Sequence, residues 1–286
     1  MVVEVVIDSS QAVIFVHVPK SAGTTLNYIV AWEYSPLRIC HVDGRFYRAA
    51  FHRISRRTPR QLDKYDLFSG HMPFGLHRRL TRKATYITVL RDPVERVISE
   101  YYYRQERRSH PIADIGVKGL SLRDYLEKLP YDNVQTKLLA GTIPDYDYLA
   151  GSCDEEMLTV AKRNLAEHFT LVGLTERFEE TLGLLKVLLG WKVGRFVPMR
   201  VTRGKPQRAS LPPDVRDLIA EHNRFDRELY AYGTELFDRV LAEHREAVAE
   251  AVKQVRAARL PEGKDASWYD WTTYFRRLFV RASSAL

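Results

Sequence analysis

The chain has 286 residues, 45% of them hydrophobic and 28% charged, with 15 Gly, 13 Pro and only 2 Cys. A chain of this size and balance buries a core without staples, which excludes collagen-like, low-complexity and disulfide-framework architectures. Lys and Arg number 44 against 36 Asp and Glu, a formal charge of +8, so the surface attracts anions such as nucleic acid, anionic lipid, nucleotides or acidic glycans. Cys40 and Cys153 cannot make a four-cysteine zinc site and suit a reducing compartment. No stretch reaches the ~18 apolar residues of a membrane span. The N-terminus, interrupted by Glu4 and Asp8, lacks the basic flank and cleavage site of a signal peptide. A soluble, cytoplasmic protein is expected.

Residues 12–18, Ala-Val-Ile-Phe-Val-His-Val, read as a strand buried on both faces. Residues 19–23 break it, and a helix opens at Thr24 or Thr25, with Leu26, Ile29 and Val30 at helical spacing. A basic, less ordered stretch covers 45–60. Strands are expected at 65–69 and 85–90. Asp92 then caps a helix with Pro93 in its first turn and Val94, Val97, Ile98, Tyr101 and Tyr102 on one face. Further helices are expected at 121–129, 132–140, 154–167 and 176–189, with a strand at 169–174. A basic loop spans 198–213. A helical tail follows over 214–232 and 234–259, broken at Gly233. The alternation predicts an α/β fold, a mainly parallel sheet flanked by helices with a helical C-terminal region. Residues 1–259 are expected as one domain. Residues 260–286 are an aromatic, basic extension without an assigned role.

Three segments carry chemistry. The first is Val18-Pro-Lys-Ser-Ala-Gly-Thr-Thr-Leu26. A small-residue loop between strand and helix points backbone N–H groups into one concavity, and the helix N-terminus adds positive potential. Ser21, Thr24 and Thr25 add hydroxyls and Lys20 a cation; Ala22 and Gly23 keep the loop small. A plain strand-to-helix turn is the alternative. The loop is not the ATPase P-loop, in which lysine follows the glycines. The second segment joins Arg91, at a strand end, to Ser99 on the next helix. The pair suits a second anionic group, with Arg91 forked onto its oxygens. Each alone reads equally as a cap or a solvent-facing serine. The third is Gly70-His71 at another strand end. Ligands of open α/β sheets gather at the carboxyl ends of strands, so Lys20, His71 and Arg91 are expected on one edge. A neutral histidine there can take a proton from a hydroxyl; a lone histidine more often only bonds a turn.

Together these segments resemble the sulfotransferase superfamily, and more narrowly the carbohydrate sulfotransferases that include heparan sulfate 2-O-sulfotransferase and bacterial relatives. Pro-Lys-Ser-Ala-Gly-Thr-Thr looks like that family's 5′-phosphosulfate loop, and residues 90–103, Leu-Arg-Asp-Pro-Val-Glu-Arg-Val-Ile-Ser-Glu-Tyr-Tyr-Tyr, its 3′-phosphate motif. Residues 133–141, 169–178 and 223–230 also look familial, and the resemblance covers about 12–240. It implies a P-loop-like fold and 3′-phosphoadenosine 5′-phosphosulfate (PAPS) as donor. It also implies adenosine 3′,5′-bisphosphate as product, no metal, and a hydroxyl acceptor, in the first place a saccharide. By the resemblance, Ser21, Ala22, Gly23, Thr24 and Thr25 hold the 5′-phosphate and Lys20 stabilises the leaving bisphosphate. Arg91 and Ser99 hold the 3′-phosphate, and His71 is the base. The loop 200–208, with Arg203 and Lys205, falls where the family closes over the cofactor. Ser69 stands where the 2-O enzymes have a second histidine, so the resemblance does not fix the 2-O acceptor. Two rivals remain. A nucleotide-dependent phosphotransferase needs magnesium ligands at a strand end. A non-enzymatic basic protein binding glycan or nucleic acid leaves the loop, His71 and Arg91/Ser99 set unexplained. Nucleic acid is not an expected partner.

Overall fold

A computed structural model describes residues 10–42, 52–106, 119–128, 132–141, 151–197 and 211–260. Five strands form one parallel sheet: β1 Ala12–Val16, β2 Ile39–Val42, β3 Leu67–Gly70, β4 Ala84–Leu90 and β5 Phe169–Leu174, in the order β2-β3-β1-β4-β5. β1 is the central strand, and all five of its residues are buried, as its continuous apolar run requires. Its Val16 lies opposite Gly70 of β3 and Thr88 of β4.

The helices are α1 Gly23–Glu33, α2 Pro59–Leu62, α3 Pro93–Glu106, α4 Leu122–Lys128, α5 Val134–Ala140, α6 Glu155–His168, α7 Phe178–Leu189, α8 Pro213–His222, α9 Arg224–Glu243 and α10 Arg245–Ala258. The main core joins the sheet to α1, α5, α6, α7, α9 and α10, from Ala12 through Leu138, Leu165, Leu184 and Leu229 to Val255. A second, smaller cluster packs Val94, Val97 and Ile98 of α3 on Tyr125 and Leu126 of α4 and on Val215 and Ile219 of α8. This leaves α3 with a polar face of Arg96, Ser99, Glu100 and Tyr103, at the helical spacing that turns them away from the apolar one.

Three expectations change. The tail is not broken at Gly233, which sits inside α9; the breaks fall at Asn223 and His244. Glycine at 233 allows close approach of α9 to the sheet, because a Cβ would lie 2.5 Å from Cδ1 of the buried Leu90 on β4, which would have to shift. The strand β2 was not anticipated. It is a four-residue edge strand, Ile-Cys-His-Val, with too short a pattern to read. The short helix α2, closed by a capping box between Thr58 and Gln61, was not anticipated either and begins inside the stretch 45–60 expected as less ordered. Most other differences are boundary shifts of one or two residues, such as β1 ending at Val16 and β3 running 67–70. Parts of the basic stretches, residues 43–51 and 198–210 with Arg203 and Lys205, lie outside the described residues, as do 261–286.

A candidate anion site facing an imidazole pair

From β1 the chain passes to β2 on one side of the sheet, whereas from β4 it passes to β5 on the other. Such a reversal opens a crevice at the carboxyl ends of the two strands, where open α/β sheets take ligands. Three of the sequence-derived candidates emerge beside it: the loop after β1, His71 after β3 and Arg91 after β4.

The loop is held in an unusual shape. Lys20 and Ala22 both take left-handed backbone conformations, with φ of 70° and 53°. Left-handed residues alternating with others gather N–H groups into an anion-binding concavity. Each costs about 1–3 kcal/mol and persists only where the surroundings impose it. Gly23 begins α1, so Gly23, Thr24 and Thr25 contribute the unsatisfied N–H groups of a helix start. The Ser21 side chain is 1% exposed, and its hydroxyl has no hydrogen-bond partner among the described residues. A buried orphan hydroxyl in a nest is what a loop built around an anion leaves when the anion's oxygens are not counted.

Arg91 braces the loop from the neighbouring strand. One guanidinium nitrogen, Nη1, donates to the Lys20 carbonyl at 2.9 Å, while Nη2 lies 3.5 Å from Glu95. Its Nε has no partner among the described residues. Burial lowers the Arg91 pKa from its ordinary value, against the raising influence of Glu176 and Glu95. A cation so placed gains from an anionic ligand. Its backbone is gripped at both ends by one side chain: Arg91 N–H donates to Gln135 Oε1 at 3.0 Å, and Gln135 Nε2 donates to the Arg91 carbonyl at 2.9 Å.

The polar face of α3 closes the third side. The Lys20 ammonium sits 3.7 Å above the ring centroid of Tyr103, a cation–π contact. Ser99, 4% exposed, lies one turn before Tyr103 on the same face. Burial works to raise the pKa of Glu100, but the charges of Arg104, Lys20 and Arg96 outweigh it and hold this carboxyl below its usual range. Lys20 thus has a carboxylate and an aromatic face for company.

His71 stands on the other flank. Gly70 before it has φ of 144°, and a Cβ there would lie 2.2 Å from the Val42 carbonyl. The sharp turn that aims His71 is therefore open to glycine alone. His71 Nδ1 lies 2.8 Å from the carbonyl oxygen of His17. A carbonyl only accepts, so Nδ1 carries the proton and Nε2 is the basic nitrogen.

The arrangement includes residues that the sequence reading weighed only as weaker candidates or left without a role. His17, read as inside a strand, lies one residue past β1, and its ring stacks on that of His71. Gln135 and Asp226 belong to the stretches 133–141 and 223–230, whose shared look had no physical account. Here they cap each other. The Asp226 carboxylate accepts from the N–H groups of Gln135 and Thr136, at 3.1 and 2.7 Å. The Asn133 side chain accepts from the N–H groups of Phe225 and Asp226, at 3.0 Å each. The two helix starts are locked together, and Gln135 is thereby held on Arg91. No local pattern advertises a cap whose partner lies some 90 residues away.

Sheet order, crevice and loop define an α/β protein with a candidate anion site between β1 and β4. The sequence profile of the galactose-3-O-sulfotransferase family matches residues 8–262, and the chain belongs to that family. It is similar to heparan sulfate 2-O-sulfotransferase hst-2 of Caenorhabditis elegans, 23% identical over 282 residues, with 85% of this chain and 83% of that protein covered. It is also similar to heparan-sulfate 6-O-sulfotransferase 2 of Danio rerio, 26% identical over 282 residues, covering 81% of this chain and 59% of that protein. With heparan-sulfate 6-O-sulfotransferase 3 of Mus musculus the identity is 24% over 281 residues, covering 81% and 58%. The chain thus spans less than two thirds of these 6-O relatives. The carbohydrate-sulfotransferase resemblance drawn from the motifs holds. Among the described residues no helix is long and apolar enough to cross a membrane.

Proposed function

We propose that the protein transfers a sulfuryl group from PAPS to a hydroxyl of a saccharide. The observation that carries this reading is the convergence of the orphan-hydroxyl loop, the braced Arg91 and the Nε2-basic His71 on one sheet edge. The residues fit the donor: a nest at 20–25 for the 5′-phosphosulfate, and Arg91 with Ser99 for the 3′-phosphate. Membership of the sulfotransferase family and relatives named for heparan sulfate O-sulfation support both donor and acceptor class.

When bound, PAPS supplies the sulfuryl group, and adenosine 3′,5′-bisphosphate is left. The chain's own residues do the rest. The loop N–H groups and Ser21 orient the 5′ end, and Arg91 with Ser99 anchors the 3′ end, so the reaction starts from a fixed geometry. His71 Nε2 takes the proton of the acceptor hydroxyl as its oxygen bonds to sulfur. The His17 carbonyl, accepting from Nδ1–H, stabilises the imidazolium that forms. Lys20 offsets the negative charge that grows where the sulfur–oxygen bond breaks. To reach that oxygen it leaves the Tyr103 ring.

The test is mass spectrometry of saccharide pools incubated with protein and PAPS. A gain of one sulfuryl mass per acceptor, absent without PAPS, is expected. Tight, steeply salt-dependent binding of glycan or nucleic acid with no such gain would favour the non-enzymatic rival.

A further inference from the structure

Between the loop and His71 lies a second imidazole that the reaction above does not use. The ring of His17 is 9% exposed and stacks on His71, with centroids 4.2 Å apart and planes 26° apart. Its edge meets the loop. A Cβ on Gly23 would fall 1.8 Å from His17 Nε2 and 1.9 Å from Cδ2, so glycine at 23 is what leaves room for the ring. Its backbone serves the base as well, through the carbonyl that accepts from His71 Nδ1.

A buried relay sets the protonation of this ring. The Ser69 hydroxyl donates to Asn27 Oδ1. Asn27 Nδ2 in turn faces His17 Nδ1 at 3.3 Å. With the amide in this orientation its nitrogen donates and His17 Nδ1 accepts, which assigns the ring as neutral with its proton on Nε2. Ser69, Asn27 and His17 are all buried. Position 69 therefore does not present its hydroxyl to an acceptor; it serves the ring beneath the base.

We propose that His17 is a positioning residue. It is the spacer that fixes how far the base stands from the loop, and Ser69 and Asn27 keep it uncharged. A positive ring stacked on His71 would oppose the proton that His71 has to accept. The proposal rests on the sulfuryl-transfer reading, with His71 as base. The other charged groups at this edge, Lys20, Arg91, Glu95 and Glu100, are unchanged in the variants below.

The experiment combines turnover with PAPS and a saccharide acceptor, binding of adenosine 3′,5′-bisphosphate by calorimetry, and 15N NMR of the histidine rings. In the unaltered protein NMR is expected to find His17 as the Nε2–H tautomer and His71 as the Nδ1–H tautomer. His17→Ala should lower kcat on the order of 100-fold, the usual consequence of shifting a reacting group by about 1 Å. Bisphosphate affinity should stay near that of the unaltered protein. Asn27→Asp puts a carboxylate on Nδ1 and favours a charged His17, so the acid limb of the kcat profile should move to lower pH. The proposal is overturned by full kcat in His17→Ala, or by bisphosphate affinity falling in step with kcat. An acid limb that stays put or moves upward in Asn27→Asp, or a His17 that carries its proton on Nδ1, overturns it equally. If the tautomers are as expected but the unaltered protein neither binds the bisphosphate nor turns over PAPS, it is the sulfuryl-transfer reading that fails.

Discussion

The two edges of the sheet both carry arginines, and they treat them differently. At the amino edge, just before β2, β3 and β4, the cations face a carboxylate at full contact. Arg38 forks onto Asp66 through Nε and Nη2 at 2.7 and 2.6 Å, and Arg82 Nη1 joins the same carboxylate at 3.1 Å. Arg57, in the described end of the basic stretch 45–60, bonds the Tyr65 hydroxyl at 2.6 Å on this edge. At the carboxyl edge, Arg91 has a carbonyl and a carboxylate no nearer than 3.5 Å, beside a loop with an orphan hydroxyl. An unpartnered Nε does not make the difference, since Arg79 and Arg82 have one too. What separates the edges is how closely the protein's own anion is held: at full contact before β2, β3 and β4, but at 3.5 Å beside the orphan hydroxyl at Arg91, which under the proposed function leaves that guanidinium room for an anionic ligand.

The largest effect that would break this contrast is at the base. His71→Ala should lose about 10²–10⁴-fold in turnover, the range of general-base removal. Bisphosphate affinity should barely change, and turnover of the unaltered enzyme should fall in acid as Nε2 fills with a proton. Near-normal turnover would move the base elsewhere. Next, Arg91→Ala should weaken adenosine 3′,5′-bisphosphate binding by about 2–5 kcal/mol, the cost of truncating a buried charge contact. Unchanged affinity would make Arg91 as structural as Arg38. Third, the unaltered protein should gain about 2.7 kcal/mol of stability from adenosine 3′,5′-bisphosphate at ~100 times its dissociation constant. ADP should give much less in the same melting assay; equal shifts would remove the 3′ pocket.

The smallest effect sharpens the other edge. Asp66→Asn should cost about 0.2–1 kcal/mol, as exposed ion pairs do, and leave bisphosphate affinity alone. The hydrogen bond from Arg38 leads the causes that hold the Asp66 pKa below its ordinary value, burial opposing. A depressed native carboxylate stabilises the fold above the unfolded value, near 4, and loses that contribution as pH falls through its native one. Urea melts of the unaltered protein and of the Asp66→Asn variant should therefore differ at pH 7 and converge toward pH 3.

Much of this was legible in the residues. The run at 12–18 announces a strand buried on both faces because it is apolar on both, and the observed strand covers Ala12–Val16. Asp92-Pro93 announces a helix start, and Glu95 N–H does donate to Asp92 Oδ1 at 3.1 Å. The loop after β1 is readable as a candidate anion site because its determinants, small residues followed by hydroxyls at a helix start, lie within seven positions. Strand, loop and helix are short-range consequences of sterics and hydrogen bonding, so a short window of sequence suffices for them.

What the residues alone did not decide is which distant groups meet. Gly233 reads as a helix breaker by its intrinsic propensity, yet α9 runs through it, since packing on Leu90 outweighs a cost of about 1 kcal/mol. His17 reads as one more strand residue until β3 places His71 against its ring. Gln135 falls in an expected helix with no assigned role until Asp226 and Asn133 lock two helix starts together and set its amide on Arg91. Strand order, the crevice between β1 and β4, and the tautomers of the imidazole pair all depend on contacts between residues tens of positions apart. Close packing leaves one arrangement of such partners, and only the folded chain states which one.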